Sequence, residues 1–492
     1  MTTTVEPLTA RTYRLFIDGE WRDSGSGRTF ERRSPASGDV VAVCPSGDEQ
    51  DTEAAIQAAR RAFDSGKWSD APAKERALVL RKTADKLRQE MSSLTRILCL
   101  EVGKPLREAA VEVSLAADVF DYYAGLALDV KGQAITGYVP DAMGLVLKEP
   151  VGVVGIITPW NFPLLLCTWK LAPSLAVGCT NVIKPSTITP ASTYELGRIV
   201  TEAGAPPGVV NVVTGPAAAV GEKIAASGAV DKIAFTGSTE TGRRIMELAA
   251  GNVKKISLEL GGKSPNIIFS DANLDAAAWG ALFGIFLNAG QVCQAGSRLL
   301  LQEDVHDAFL EKFVALTGTL KPGDPLDEST TLGPLVSEQQ LERVESYVQA
   351  GRRENAELVK GGQRIRGEGF DRGLFYEPTV FDQVGNRMRI AQEEIFGPVL
   401  SVIPFREPEE ALRIANETMY GLAAAIWTND LNRAMRFVKG VRAGTVWVNS
   451  YHTAGIPHMP FGGYKQSGIG RELGQEGLEI FLQTKAVQIK LN

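Results

Sequence analysis

Three side chains in this sequence carry groups from which nucleophilic catalysis could be built: the thiol of Cys293, the carboxylate of Glu259 and the carboxamide of Asn161. Cys293 lies in FLNAGQVCQAGSR, where a Gly-Gln break follows an apolar helix and a charged strand follows the cysteine. A thiolate is a strong nucleophile, although a cysteine is by default a buried small hydrophobe. Cys44, Cys99, Cys167 and Cys179 lie within apolar runs and fit that default. Glu259 sits between two leucines in SLELGGKSP. Apolar neighbours raise a carboxyl pKa toward neutrality, where a general base works; the plainer role is an ion-paired strand end. Gly261 and Gly262 would leave room beside it for substrate or water. Asn161, in TPWNFP, could donate its amide N–H to a developing oxyanion, or simply make a turn before an aromatic-proline pair.

The framework that must position these groups reads as α/β. From Val151 short β-branched runs, VGVVGIITP, TNVIKP, GVVNVVTG and DKIAFTG, alternate with helical stretches, among them Leu196 to Ala203. That pattern predicts a parallel sheet with helices on both faces. Asn161 then follows the first strand of the set, at the sheet edge where ligands bind. FTGSTETGRR reads as strand, Gly237-Ser238 turn and helix start, offering free N–H groups to a phosphate. The strict G-x-G-x-x-G fingerprint is absent, and such a turn also serves as a plain helix cap. A second alternation follows Glu259: strand SPNIIF, a helix from about Asn273 through Ala289, strand SRLLLQ, and further runs to GTVWVNS. Ala73 to Leu94 has helical periodicity with one buried face. Lys131 to Lys148 reads as a hairpin, and VQIKL at Val487 to Leu491 alternates like an edge strand open to pairing with another subunit.

At 492 residues the chain is about three times the usual single-domain size, so two or three cores are expected. A hydrophobic content of 44% with 22% charged residues is that of an ordinary globular protein. The net charge of -6 gives no footprint for nucleic acid or an acidic membrane surface. No secretory leader or run of 18 apolar residues is present, which points to a cytoplasmic location. Five cysteines without a C-x-x-C pair read as reduced thiols. With only His306, His452 and His458 as imidazoles, no catalytic metal is expected.

TPWNFP, VIKPS, FTGST, LELGGKSP, GQVCQAGSR, EEIFGPV and PFGGYKQSGIGRELG, in this order and over nearly the whole chain, resemble the motif set of the aldehyde dehydrogenase superfamily. The resemblance implies that Cys293 attacks an aldehyde to give a thiohemiacetal, which yields hydride to a nicotinamide and becomes a thioester. Asn161 and the Cys293 N–H would form the oxyanion hole, and Glu259 would activate the water that releases the acid. Lys170 and Glu472 match positions proposed to assist proton movement. The implied cofactor contacts are Thr158, Trp160, Lys184, Ser186, Thr187, Gly237, Ser238, Glu394 and Phe396, the last two at the nicotinamide ribose. The implied architecture has a Rossmann-like cofactor domain at 1–127 and 150–260, and an α/β catalytic domain at 261–447. Segments 128–149 and 475–492 form a small β oligomerisation arm, and 448–474 returns to the site. Hairpin 128–149 and strand 487–491 would then build a homodimer or homotetramer.

Thr187 departs from the commonest pattern, since many NAD-using members resemble KPSE where this chain reads Lys184-Pro185-Ser186-Thr187. A carboxylate there would repel a 2′-phosphate by roughly 4 kcal/mol at about 4 Å and an effective dielectric near 20. Thr187 removes that barrier, so NADP is expected to be accepted alongside NAD. The same resemblance lines the aldehyde entrance with Phe162, Leu166, Trp169, Val292, Gln294 and the loop Tyr451 to Met459, including His458. Taken singly, each of these has core packing as its plainer role. A buried anion must be paired, and SYHTAGIPHM contains no Arg or Lys, so a neutral aliphatic or aromatic aldehyde is expected. Two alternatives stand beside this: a CoA-acylating enzyme, which the presence of Glu259 disfavours, and a binding protein that kept the fold without activity.

Overall fold

The computed structural model describes residues 10–137, 139–452 and 457–491. Its larger sheet has eight strands in the order Gly468–Ile469, Lys255–Glu259, Lys232–Thr236, Val153–Ile157, Thr180–Lys184, Val210–Val212, Leu15–Ile17 and Glu20–Arg22. The five middle strands run parallel, and antiparallel strands close both edges. Every residue of Val153–Ile157 and of Lys232–Thr236 is buried, as expected of a parallel sheet covered on both faces. A seven-stranded sheet, in the order Glu357–Lys360, Thr379–Asp382, Val399–Phe405, Arg298–Gln302, Pro265–Ile268, Ala423–Trp427 and Thr445–Val448, follows the same plan. It is parallel throughout except for its first strand.

A third sheet stands apart from these two. Gln133–Thr136 and Ala142–Pro150 form the expected hairpin, and Leu482–Lys490 pairs antiparallel with the second of its strands along its whole length. The terminal strand thus begins five residues earlier than its alternating pattern suggests. Its root is tied to the larger sheet by Lys255 Nζ donating to the Leu482 carbonyl at 2.9 Å.

Three helix boundaries differ from the sequence reading. The stretch Ala73 to Leu94 is two helices, Ala73–Gln89 and Met91–Val102, because Glu90 leaves helical geometry and its carboxylate is held by Arg198 at 2.5 Å. The helix expected at Leu196 begins at Ala191, where the buried Glu101 carboxylate accepts the N–H groups of Ala191 and Ser192 at 2.8 and 3.1 Å. The helix Leu274–Phe286 stops short of Ala289, since Asn288 and Ala289 adopt positive φ of 48° and 54°. That turn aims the chain at Cys293.

Candidate active site

Asn161, Thr236 and Glu259 all lie at the carboxyl ends of neighbouring parallel strands, the edge where such sheets bind ligands. Cys293 arrives from the other half of the molecule, between the positive-φ turn and the strand Arg298–Gln302. Of the five cysteines it alone is not fully buried. Its thiol is pushed up to about 12, first by desolvation and then by the charges of Glu394 and Glu259, while the N–H groups of Gln294 and Cys293 itself act in the opposite direction.

Asn161 is buried and donates one amide N–H to the Gln291 carbonyl at 3.0 Å. A carboxamide nitrogen carries two such hydrogens, so a second remains for a ligand oxygen. The Asn288 amide bonds the backbone carbonyls of Asn161 and Gln291, at 3.2 and 3.3 Å, and so ties the Asn161 loop to the turn before Cys293.

Lys170 and Glu472 form a fully buried ion pair at 2.5 Å, although 302 residues separate them. The ammonium also donates to Thr236 Oγ1 at 2.6 Å and to the Leu166 carbonyl at 3.4 Å, which uses all three of its hydrogens. Thr236 is the register partner of Glu259, so this pair reaches the strand that ends in the candidate base. Burial, and then the charge of Glu472, hold the Glu259 carboxyl well above the usual range, against Lys170 and Arg471. Its Oε2 is buried without a hydrogen-bond partner among the described residues.

The glycines beside Glu259 make room for protein rather than for substrate or water. A Cβ on Gly261 would lie 2.4 Å from Glu394 Oε2, and one on Gly262 would lie 2.5 Å from the Cys293 carbonyl. Gly462 does the same for Glu259, whose Oε1 would be 2.7 Å from a Cβ there.

The expected cofactor contacts gather around this edge. Glu394 accepts the Gly262 N–H at 3.2 Å and is raised to about 7 by burial. Phe396 takes a positive φ of 63° and sets its ring edge-on to Trp160 at 5.1 Å. Burial lowers Lys184 to about 8. Thr158 donates its N–H to the Lys184 carbonyl at 3.2 Å, and its hydroxyl is buried without a partner among the described residues. Ser186 Oγ accepts the Ile188 N–H at 3.2 Å, and Thr187 is part-exposed beside it. Gly237 N–H donates to the Glu259 carbonyl at 3.0 Å. Ser238 Oγ caps Thr239–Ala249 through the Thr241 N–H at 3.2 Å. The remaining first-turn N–H groups have no acceptor within the helix. An orphaned hydroxyl, an ammonium, a buried carboxylate and a helix N-terminus together fit a dinucleotide.

Among the expected entrance residues, Leu166 and Val292 are buried in the core. Phe162 is part-buried under the Lys104 ammonium, 3.7 Å from the ring centre. Trp169 meets Phe461 edge-on at 5.0 Å, and His458 meets Tyr122 at 4.6 Å. Gln294 Nε2 lies 2.9 Å from His452 Nδ1. Residues 453–456 of that loop lie outside the described residues.

Sequence reasoning missed three supporting groups, Gln340 and the buried pair Lys104 and Glu112, and took in His452 only as one member of the entrance loop. Glu112 also accepts the N–H groups of Leu164 and Leu165, both at 3.1 Å, and so caps the helix Pro163–Val177 that carries Trp169 and Lys170. Three glutamates in one largely apolar stretch, Glu101, Glu108 and Glu112, were the signal available. Among the described residues no His, Cys, Asp and Glu group could hold a metal ion, and no helix is long and apolar enough to cross a membrane.

Residues 21–487 match the profile of the aldehyde dehydrogenase family. Betaine aldehyde dehydrogenase of Bacillus subtilis is 46% identical over 473 residues, covering 96% of either chain. Aminoaldehyde dehydrogenase 2 of Zea mays is 46% identical over 488 residues, covering 98% of this chain and 96% of its own. The crystal structure of NAD-dependent aldehyde dehydrogenase from Sinorhizobium meliloti superposes with a TM-score of 0.96 at 44% identity, over 99% of this chain and 96% of that one. Betaine aldehyde dehydrogenase from Staphylococcus aureus in complex with NAD+ gives 0.97 at 43% identity, again over 99% and 96%. The sheets, the site and these relatives agree, and the chain belongs to the aldehyde dehydrogenase family.

Proposed function

We propose that the protein oxidises an aldehyde to its carboxylic acid with NAD, through a thiohemiacetal and then a thioester on Cys293, which water activated by Glu259 hydrolyses. The observation that carries this reading is the buried Glu259 carboxyl with an unpartnered oxygen, raised by its surroundings and facing the Cys293 thiol electrostatically. Bound nicotinamide supplies the hydride acceptor and a positive charge. The protein's own groups do the rest. The Cys293 thiol gives its proton up to solvent by way of Glu259, Sγ attacks the carbonyl carbon, and the free hydrogen of Asn161 Nδ2 with the Cys293 N–H holds the oxygen. Glu259 then takes the proton of the attacking water, and the Lys170–Glu472 pair tunes its proton affinity. In this reading the eight-stranded sheet carries the cofactor and the seven-stranded half carries the thiol, in keeping with a division of 1–127 and 150–260 against 261–447.

The aldehyde is best read as carrying an amino or quaternary ammonium group. Trp169, Phe461 and Tyr122 supply aromatic rings that attract a cation, the loop sequence adds no Arg or Lys, and relatives at 46% identity are named for betaine aldehyde or aminoaldehydes. A neutral aliphatic or aromatic aldehyde is the second reading, favoured by the lack of a carboxylate among the entrance residues. The part-exposed Thr187 supports acceptance of NADP as well. The strand Leu482–Lys490, paired on one side only among the described residues, supports self-association.

Absorbance at 340 nm, followed with betaine aldehyde, an aminoaldehyde, pentanal and benzaldehyde, tests the reading with NAD or NADP and with or without CoA. Turnover without CoA that Cys293→Ala abolishes is expected. Full activity in that variant would sink the thioester mechanism, a CoA requirement would favour the acylating alternative, and a higher kcat/KM for pentanal or benzaldehyde would favour the neutral substrate.

A further inference from the structure

Gln294 follows the candidate nucleophile and is held at both ends by neighbouring residues of one loop. Tyr451 donates its hydroxyl to the Gln294 carbonyl at 2.8 Å. The Tyr451 ring fits there because Gly284 and Gly296 lack a Cβ, which would lie 3.0 and 2.9 Å from it. The Gln294 side chain meets His452 Nδ1 at 2.9 Å, and His452 Nε2 faces the Gly284 carbonyl at 3.3 Å.

A carbonyl only accepts, so Nε2 carries the proton, and in a neutral ring Nδ1 is then the acceptor for the Gln294 amide. The ring stays neutral because it is buried among Phe283, Trp447 and Tyr451, whose centroids lie 5.7, 5.8 and 4.9 Å away. Desolvation takes its pKa down to about 4. The arrangement is therefore a fixed clamp through the working pH range. Its mechanical consequence falls on the peptide next to the sulfur, since Gln294 follows Cys293 directly and its backbone N–H favours the charged thiolate.

We infer that His452 is a positioning residue for the thiolate: through Gln294 it fixes the peptide N–H that stabilises negative charge on Cys293. The inference rests on the reading of Cys293 as the nucleophile. Glu259, Glu394 and Tyr451 also face the sulfur, and the substitutions used below leave all three in place.

The test is the rate of iodoacetamide alkylation of Cys293 against pH, with kcat and KM, in the full-length protein. His452→Phe keeps the ring volume and removes both bonds, His452→Asn retains an acceptor near Nδ1, and Gln294→Met removes the partner. Loss of one positioned hydrogen bond predicts about a tenfold slower alkylation at neutral pH in His452→Phe, with its profile moved to higher pH. His452→Asn should recover most of the rate. Gln294→Met and the double variant should match His452→Phe, since one chain of contacts is cut. Alkylation at the wild-type rate in Gln294→Met or in folded His452→Phe would overturn the inference, as would single effects that multiply in the double variant. Aldehyde turnover retained in Cys293→Ala would overturn the nucleophile reading and the inference with it; turnover lost there with Cys293 alkylated at the wild-type rate in His452→Phe would overturn the inference alone.

Discussion

Charge placement decides how this site behaves with pH, and two lysines carry most of it. Lys170 is the cation that opposes the rise of the Glu259 carboxyl. A base acts in its deprotonated form, so a raised pKa moves the acid-side loss of activity to higher pH. Replacing Lys170 with Met leaves Glu472 buried without its ion-pair partner and Glu259 opposed by Arg471 alone. The acid limb of kcat should move to higher pH, and kcat at neutral pH should fall by at least about tenfold. An unchanged pH profile in this variant would remove Lys170 from the proton balance. Lys184 offers a second reading of pH. Its ammonium, lowered to about 8 by burial, is lost as pH rises through that value. A 2′-phosphate needs the cation and a ribose hydroxyl does not. KM for NADP should therefore climb above pH 8, by up to about tenfold per unit, while KM for NAD changes little. Parallel profiles for the two cofactors would argue that Lys184 does not meet the phosphate.

Helices are held to the site by buried side chains that local sequence patterns do not announce. The strands from Val153 to Glu259 and the second set up to Val448 follow from β-branched runs bounded by Gly and Pro, and the order of Asn161, Glu259 and Cys293 in its motifs points to the chemistry. Periodicity carries no trace of Lys104 meeting Glu112 or of Glu101 meeting Ala191, because those bonds depend on tertiary approach. The break at Glu90 and the paired positive-φ residues Asn288 and Ala289 were hidden for the same reason: Arg198 and Glu108, both remote in sequence, set them. Phe396 is a further case, since Gln340 Nε2 donates to the carbonyls of Ile395 and Phe396 at 3.2 and 2.8 Å and holds an unfavoured conformation in place. Glu112→Ala should be among the most damaging single changes outside the site. It strips the cap from Pro163–Val177 and takes from the buried Lys104 ammonium, which lies over the Phe162 ring, its ion-pair partner. Loss of one partner of a buried pair costs about 3–5 kcal/mol, readable as a lower urea midpoint. A midpoint within experimental error of wild type would show that water reaches Lys104.

The proposed self-association rests on the third sheet. Leu482–Lys490 is mostly exposed along its length, although it pairs with Ala142–Pro150 at every residue. An exposed strand edge of this length is a template for another chain. Val487→Pro with Ile489→Pro removes two backbone donors from the strand, and the mass in light scattering should drop from that of a dimer or tetramer to a smaller species. A wild-type protein already monomeric at micromolar concentration would refute the proposed role of the arm.

The short strand Gly468–Ile469 lies beside the strand that ends in Glu259, and a few residues further on Glu472 meets Lys170. On the ribosome Lys170 and Glu259 emerge long before the Glu472 carboxylate that completes their surroundings. Lys170 therefore waits through 302 residues of synthesis for its partner and Glu259 through 213, so the ion pair beside the candidate base is assembled only in the closing stretch of translation. Timing, as well as shape, is encoded in that crossing of the chain.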